Sequence, residues 1–269
     1  MLTNKPIGLQ SFTLADILHD DFEGTLKMIK EFGYDGVELH SMYDRSPEYI
    51  RDLFKDLDLK LMSFHGEFGV INNNTKAVLD EYETMGIKYV VIPFIMEKYR
   101  YDGEAWDVFV NGCKRIGQAA RERGMVLCYH NHNFEFKDKI DGEYFYDVIF
   151  NTVGRENLST QMDIGWLGIA KQDPIAYLKK YSGSAPIVHI KDFYFPDLIP
   201  EDQRDPNEVD YFDFRPMGKG MLDIPAVVKA AEDAGTEWFI VEQDDKSYRY
   251  PELSKLDCVK MSIDYWRSL

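Results

Sequence analysis

Imidazole and carboxylate side chains stand near the ends of several apolar, β-rich runs in this 269-residue sequence. They lie on five different runs and are His65, His130, His132, Asp163, His189 and Glu242. Residues two apart in a strand face the same side, so His130 shares a face with His132. The same spacing pairs His189 with Lys191. Imidazoles and carboxylates that converge from non-adjacent strands can enclose a divalent cation, whereas left unpaired in a cavity they would carry a desolvation penalty.

Those side chains need a sheet whose strand ends meet in one place. A repeated pattern of helix ends followed by strand starts predicts such a sheet. Four times a helical stretch ends in glycine and an apolar run begins within two or three residues, at Gly33, Gly86, Gly124 and Gly235. Glycine after the last helical residue accepts the left-handed conformation that ends a helix. The pattern is typical of alternating helices and strands.

The same pattern followed along the whole chain predicts eight strands and eight helices. The strands lie near Ile7–Phe12, Val37–His40, Leu61–His65, Tyr89–Pro93, Val126–His132, Ser159–Asp163, Ile187–Lys191 and Phe239–Glu242. The helices lie near Phe22–Phe32, Pro47–Leu57, Thr75–Met85, Glu104–Arg123, Tyr144–Asn151, Pro174–Tyr181, Ile224–Ala234 and Pro251–Ser268. This count predicts an α/β fold, a (β/α)8 TIM barrel in which residues 1–269 form one domain. A doubly wound sheet is the alternative, since a count does not prove closure.

One connection is too long for a plain strand-to-helix loop. It follows the seventh strand over residues 193–222 and contains seven acidic residues and four prolines, Pro196, Pro200, Pro206 and Pro216. The prolines prevent a long helix there. A solvated excursion and an active-site lid both fit a loop of this length.

The composition of the chain argues against several classes of partner and site. Lys and Arg number 31 against 47 Asp and Glu, and the net charge of -16 argues against nucleic acid as the partner. No run resembles a signal peptide or a membrane span, so we expect a cytoplasmic protein without a membrane partner. The three cysteines form no CxxC pair, which indicates neither a disulfide framework nor a thiolate zinc site.

Four motifs, in this order, resemble the sugar phosphate isomerase/epimerase family of xylose isomerase-like TIM barrels. They are Tyr-His-Asn-His-Asn-Phe-Glu at 129–135, Met-Asp-Ile-Gly-Trp at 162–166, Val-His-Ile-Lys-Asp at 188–192 and Val-Glu-Gln-Asp-Asp at 241–245. The resemblance covers essentially the whole chain, starting with Gly-Leu-Gln-Ser-Phe-Thr at 8–13 on the first strand. It implies one divalent metal held at the ends of strands five to eight, with the ligands His130, Asp163, His189 and Glu242.

Three positions depart from the family pattern. His130 stands where the ketose 3-epimerases commonly carry glutamate, so Glu242 alone remains of their opposed pair of acid/base glutamates. Trp166 replaces a frequent histidine, and it either stacks on a sugar ring or packs under the loop. Lys219 stands in Gly-Lys-Gly where relatives often have Gly-Glu-Gly, as a substrate-binding cation or an ordinary surface lysine.

The resemblance implies proton abstraction next to a carbonyl, with Glu242 as the base and the metal polarising the carbonyl. The opposite proton donor is His132, Lys191 or Glu135, and the sequence leaves this choice open. The expected substrate-binding residues are Glu38, His65, Trp166 and Arg215, although His65 could instead support a metal ligand.

Reprotonation of the enolate would make the protein an isomerase or epimerase of a sugar or an inositol-derived ketone, which is the main expectation. Loss of a β-substituent would make it a lyase or dehydratase, which is the alternative. A non-catalytic sugar-binding subunit and an AP endonuclease are further readings, and the charge argues against the second. The ligand types admit Mn²⁺, Mg²⁺, Co²⁺, Fe²⁺ and Zn²⁺, the resemblance favours Mn²⁺, and relatives are often homo-oligomers.

Overall fold

The computed structural model describes residues 3–195, 212–244 and 253–269. Eight parallel strands close into a barrel whose order follows the chain. They are β1 (Ile7–Gln10), β2 (Gly36–Leu39), β3 (Lys60–His65), β4 (Tyr89–Ile92), β5 (Val126–His130), β6 (Ser159–Asp163), β7 (Ile187–Ile190) and β8 (Trp238–Val241). The first and last strands close the barrel, because Ile7 of β1 pairs with Phe239 of β8 and Leu9 pairs with Val241. The (β/α)8 prediction is confirmed and the doubly wound alternative is wrong.

Helices surround the barrel in the described parts of the chain. They are α1 (Ala15–Asp20), α2 (Phe22–Phe32), α3 (Pro47–Asp56), α4 (Phe68–Asn73), α5 (Thr75–Met85), α6 (Trp106–Arg121), α7 (Phe145–Val153), α8 (Ile164–Ile169), α9 (Pro174–Lys180), α10 (Ile224–Asp233) and α11 (Lys255–Ser268). Short 3-10 turns cover Ser11–Leu14, Glu97–Tyr99 and Phe134–Phe136. Two small antiparallel hairpins pair Lys139–Ile140 with Glu143–Tyr144 and Asp192–Tyr194 with Asp213–Arg215. No helix among these residues is long and apolar enough to cross a membrane.

The predicted helices are all present, and three short helices were missed. Both α2 and α5 have the predicted bounds. The missed helices α1, α4 and α8 have six residues each, which is too short for a helical period to show in sequence. The last helix begins later than Pro251, at Lys255, because Ser254 and Asp257 form a capping box. Pro251 itself lies outside the described residues.

Alternation along the strands places polar groups directly above an apolar layer. Inside the barrel Met62, Tyr89, Val91, Cys128, Ile187 and Ile240 form one buried cluster. Two residues further along β7 from Ile187 comes His189, and two residues beyond Ile240 comes Glu242. The intervening residues Val188 and Val241 pack outward, in the core between barrel and helices. The apolar layer therefore closes the barrel below and the polar groups face its carboxyl-end mouth.

The carboxylate of Asp192 accepts hydrogen bonds from both ends of the long loop after β7. Asp192 is buried and accepts hydrogen bonds from the backbone N–H groups of Phe193, Gly218, Gly220 and Leu222, at 2.9 to 3.2 Å. This carboxylate holds the returning chain of the loop against the end of β7. Residues 196–211 lie outside the described residues, so the choice between lid and solvated excursion remains a prediction.

We expect Asp192→Ala to lose about 3 kcal/mol of unfolding free energy, because four backbone N–H groups lose their acceptor together. Urea unfolding followed by circular dichroism measures this loss. Asp223→Ala, which removes the side-chain cap of α10 from Ala226, is the control, with an expected loss of about 1 kcal/mol. Equal losses in the two variants would contradict the anchoring role.

Candidate active site

The four expected metal ligands meet at the mouth of the barrel. One ligand atom from each of His130, Asp163, His189 and Glu242 lies within 4.8 Å of all the others, and all four residues are buried. His189 Nδ1 lies 3.0 Å from Glu242 Oε2, and His130 Nε2 lies 3.8 Å from Asp163 Oδ2. Ligand atoms held about 2.1 Å from one ion lie about 3 Å apart when adjacent, so these separations suit a shared divalent cation.

Asp163 is oriented so that one of its oxygens points into this cluster. Its Oδ1 accepts from Trp166 N at 2.8 Å and caps α8, while Asn131 holds the Asp163 backbone through two hydrogen bonds. Asp163 Oδ2 is buried and has no hydrogen-bond partner among the described residues. Burial raises the pKa of this carboxyl to about 6, although the Lys191 ammonium opposes the rise. An unpartnered buried oxygen beside two imidazoles and a carboxylate fits a metal ligand.

Lys191 places a buried ammonium beside the cluster. Its Nζ lies 2.9 Å from Glu242 Oε2, 3.1 Å from Asp244 Oδ2 and 3.6 Å from Asp163 Oδ2. Burial alone would lower the pKa of Lys191, but the Asp244 and Glu242 carboxylates raise it above its ordinary value. The ammonium therefore stays protonated near neutral pH, where it can donate a proton or a hydrogen bond.

The other two proposed proton donors occupy different environments. His132 lines the mouth cavity, and burial followed by the nearby Lys191 lowers its pKa to about 3, so its ring is neutral near pH 7. Glu135 is fully buried and accepts from Tyr129 Oη at 2.5 Å and from the His132 backbone N–H at 2.9 Å. It is absent from the cavity lining in the described chain, and burial raises its pKa to about 7. The structure thus places Glu135 behind the site, where it holds the turn after β5.

The predicted substrate-binding residues divide into two groups. His65 lines the cavity, whereas Glu38 is fully buried below it and contacts four nitrogen donors of the protein. Trp166 is buried among Phe212 and Phe214 at the base of the long loop, which matches the packing alternative.

Arg215 belongs to the hairpin at the base of the long loop and is placed away from the cavity lining. It is buried and forms an ion pair of 2.6 Å with Asp213. It is not among the described residues that line the mouth cavity.

Several residues of the site were missed from sequence. Gln10 and Gln161 both contact Glu38. The only signal in the sequence is the two-residue spacing from Gln161 to Asp163 on β6, which indicates that these two side chains face inward.

The mouth cavity has a volume of about 460 Å³ and is lined in the described chain by Phe12, His40, His65, Glu67, Pro93, Phe94, His130, His132, Lys191, Glu242 and Asp244. Phe12 and Phe94 are about half exposed at its rim, at 53% and 44%.

Comparison with known proteins places this barrel among its relatives. A family model described as a xylose isomerase-like TIM barrel matches residues 26–268. The chain belongs to the xylose isomerase-like TIM barrel family. This membership and the closed barrel confirm the fold and the family expected from the sequence motifs.

The proteins to which this chain is similar carry different names. An inosose dehydratase of Clostridium botulinum (strain Alaska E43 / Type E3) is 25% identical over 280 residues, covering 91% of this chain and 90% of the relative. A sugar phosphate isomerase/epimerase from Parabacteroides distasonis ATCC 8503 shares the fold with a TM-score of 0.78 and 20% identity over 99% of both chains. The IolI protein, solved with a zinc atom, has a TM-score of 0.67 and 18% identity over 98% of this chain and 97% of its own.

We expect the buried Glu135 carboxyl to make stability fall as pH rises. Its folded pKa of about 7 exceeds the ordinary value of 4.5, so the folded state binds the proton more tightly and this stabilisation is lost as pH rises through 7. Between pH 5.5 and 8 the wild type should lose about 2 kcal/mol more than Glu135→Gln in urea unfolding.

The exposed Glu48 supplies a matched control. Glu48→Gln should reproduce the wild-type dependence of stability on pH. A Glu135→Gln variant with the wild-type dependence would show that this carboxyl does not carry the effect.

Proposed function

We propose that the protein is a divalent-metal-dependent lyase that removes water from a cyclic polyol ketone. The observation that carries this proposal is the His130, Asp163, His189 and Glu242 cluster at the floor of the mouth cavity, with the Lys191 ammonium beside it. Similarity to an inosose dehydratase along 91% of the chain supports the choice of substrate class and reaction. The lyase, which sequence analysis left as the alternative, is thereby favoured over the isomerase.

The four clustered side chains would hold the metal. Two imidazoles and two carboxylates without a thiolate suit several divalent cations, among them the Mn²⁺ favoured by the family resemblance and the Zn²⁺ present in IolI. When bound, such an ion supplies a Lewis acid that polarises a substrate carbonyl and makes the neighbouring C–H more acidic.

Glu242 is the base in this proposal. Burial alone would raise the pKa of its carboxyl, but the Lys191 ammonium and the His189 ring hold that pKa well below its ordinary value. The group is therefore ionised near neutral pH, lines the cavity, and can accept the proton from the carbon next to the carbonyl.

Lys191 is the proton donor that the geometry favours. The α-proton goes to Glu242, a carbon–carbon double bond forms, and the β-hydroxyl leaves as water with a proton from the Lys191 ammonium. His132 has too low a pKa to be charged near pH 7, and Glu135 is bonded behind the site. Among the three donors that the sequence left open, Lys191 alone is both cationic and in the cavity wall.

Isomerisation or epimerisation is the second candidate, because the Lys191 ammonium beside Glu242 could also return a proton to carbon. Epimerisation uses two acid/base groups on opposite faces of the substrate. The position of the second glutamate in the ketose 3-epimerases is held here by His130, whose ring is buried inside the cluster. This replacement favours elimination.

We expect the metal-loaded protein to convert an inosose to a dehydrated ketone, and Glu242→Gln to lower kcat by about 10² to 10⁴. NMR in D₂O distinguishes the candidates: loss of water supports the lyase, and an epimeric ketone with deuterium next to the carbonyl supports the isomerase. Glu48→Gln, at an exposed carboxylate outside the described cavity lining, is the control and should retain activity. Unchanged turnover in Glu242→Gln would contradict the assignment of the base.

Metal content tests the cluster independently of any substrate. We expect about one divalent transition metal per chain by ICP-MS, lost in Asp163→Asn and His189→Ala and retained in Glu67→Gln. Wild-type protein that binds none after exposure to Mn²⁺, Co²⁺ or Zn²⁺ would contradict the proposed function.

A further inference from the structure

The buried carboxylate of Glu38 has its oxygens occupied by four nitrogen donors. Glu38 Oε1 lies 2.7 Å from Gln10 Nε2, 2.7 Å from His189 Nε2 and 2.9 Å from His65 Nε2. Glu38 Oε2 lies 2.5 Å from Gln161 Nε2. The amide nitrogens of Gln10 and Gln161 and the Nε2–H of His189 donate to these oxygens. The Nε2–H of His65 is shared between Glu38 Oε1 and Gln161 Oε1.

These contacts decide which ring nitrogen of His189 faces the metal cluster. His189 Nε2 faces Glu38, and Nδ1 is directed at the cluster, 3.0 Å from Glu242 Oε2. In the metal-free protein Nδ1 also donates to that carboxylate, and a bound cation would take the place of this proton. A carboxylate that accepts from the distal nitrogen of a histidine ligand orients the ring and makes it a stronger donor to a metal.

Glu38 also decides the orientation of the Gln161 amide. Because the amide nitrogen must face Glu38 Oε2, the amide oxygen must face the other way. That oxygen lies 2.7 Å from His65 Nε2 and 3.0 Å from His130 Nδ1, and it accepts from both rings. His130 therefore carries its proton on Nδ1, and Nε2, 3.8 Å from Asp163 Oδ2, is left for the cluster.

We propose that Glu38 and Gln161 are positioning residues that fix which ring nitrogen the two histidine ligands present: Nδ1 of His189 and Nε2 of His130. The proposal rests on the metal site of the proposed function. It changes the expected role of Glu38, whose oxygens contact protein donors below the cavity instead of binding substrate hydroxyls. It also explains a glutamine on β6 two residues before Asp163, since an amide of this length donates to Glu38 and accepts from His130 at once.

The first experiment measures the His130 tautomer in metal-free wild-type protein. Long-range ¹H–¹⁵N correlation spectra of ¹⁵N-histidine-labelled protein, assigned with His130→Gln, should show the proton on Nδ1. The spectra are recorded at a pH at which they show a neutral His130 ring. A neutral His130 with its proton on Nε2 would overturn the proposal without any variant of Glu38 or Gln161.

The second experiment measures Zn²⁺ affinity by competition with a chromophoric chelator. Gln161→Met removes the amide that contacts His130, and we expect Zn²⁺ to bind about 10- to 100-fold more weakly. Gln10→Met is the matched control, because it removes a donor to Glu38 that contacts neither histidine ligand, and its affinity should stay within about threefold of wild type.

The outcomes separate this proposal from the proposed function. Gln161→Met protein with wild-type Zn²⁺ affinity would overturn the positioning role. If the wild type binds none of Mn²⁺, Co²⁺ and Zn²⁺, the proposed function fails, and the tautomer of His130 in the metal-free protein still decides whether Gln161 orients the ring.

Discussion

Burial of charge at one end of the barrel is the constraint on which the rest of this structure depends. Three carboxylates, Glu38, Asp163 and Glu242, stand at the mouth with little or no contact with solvent. An isolated ion in such a place would carry a desolvation penalty of several kcal/mol, so each carboxylate needs donors or an opposite charge close by. Glu38 has four nitrogens close by, and Glu242 has Lys191 and His189. Asp163 Oδ2 accepts no hydrogen bond among the described residues and lies 3.6 Å from the Lys191 ammonium. This oxygen marks where a further positive charge fits.

The fold was predictable because its signals are local. Buried parallel strands appear as short apolar runs, glycine marks the helix ends, and the glycines at 33, 86 and 235 all adopt positive φ where a strand is about to begin. The convergence of His130, Asp163, His189 and Glu242 followed from the barrel itself, since strand ends far apart in sequence share one mouth. Helices of one or two turns were not predictable, because they are too short for a helical period to show. The cap of α8 by Asp163 is a contact that only the folded chain makes.

The direction of individual side chains was harder to predict than their position. Glu135 belongs to the same motif as His130 and His132, yet the motif leaves β5 for a 3-10 turn that directs the carboxylate toward Tyr129. Glu38 lies at the correct end of β2, but sequence could not show that two glutamines and two histidines occupy its oxygens. The glutamines carry no charge, and Gln161 lies just before the Met-Asp-Ile-Gly-Trp motif at 162–166. Contacts between strands distant along the chain determine these directions, and no local pattern encodes them.

The replacement of glutamate by His130 changes the chemistry available at the mouth. A pair of glutamates can exchange a proton with either face of a substrate, whereas His130 is neutral, buried, and committed through Nδ1 to Gln161. Two acid/base groups of the described cavity wall, Glu242 and Lys191, lie 2.9 Å apart on the same side. A base and a cationic acid at this short distance can exchange protons with neighbouring carbons on one face of a substrate. They reach the opposite faces of a single carbon less readily. Removal of a proton and a hydroxyl from adjacent carbons is the reaction that this asymmetry suits.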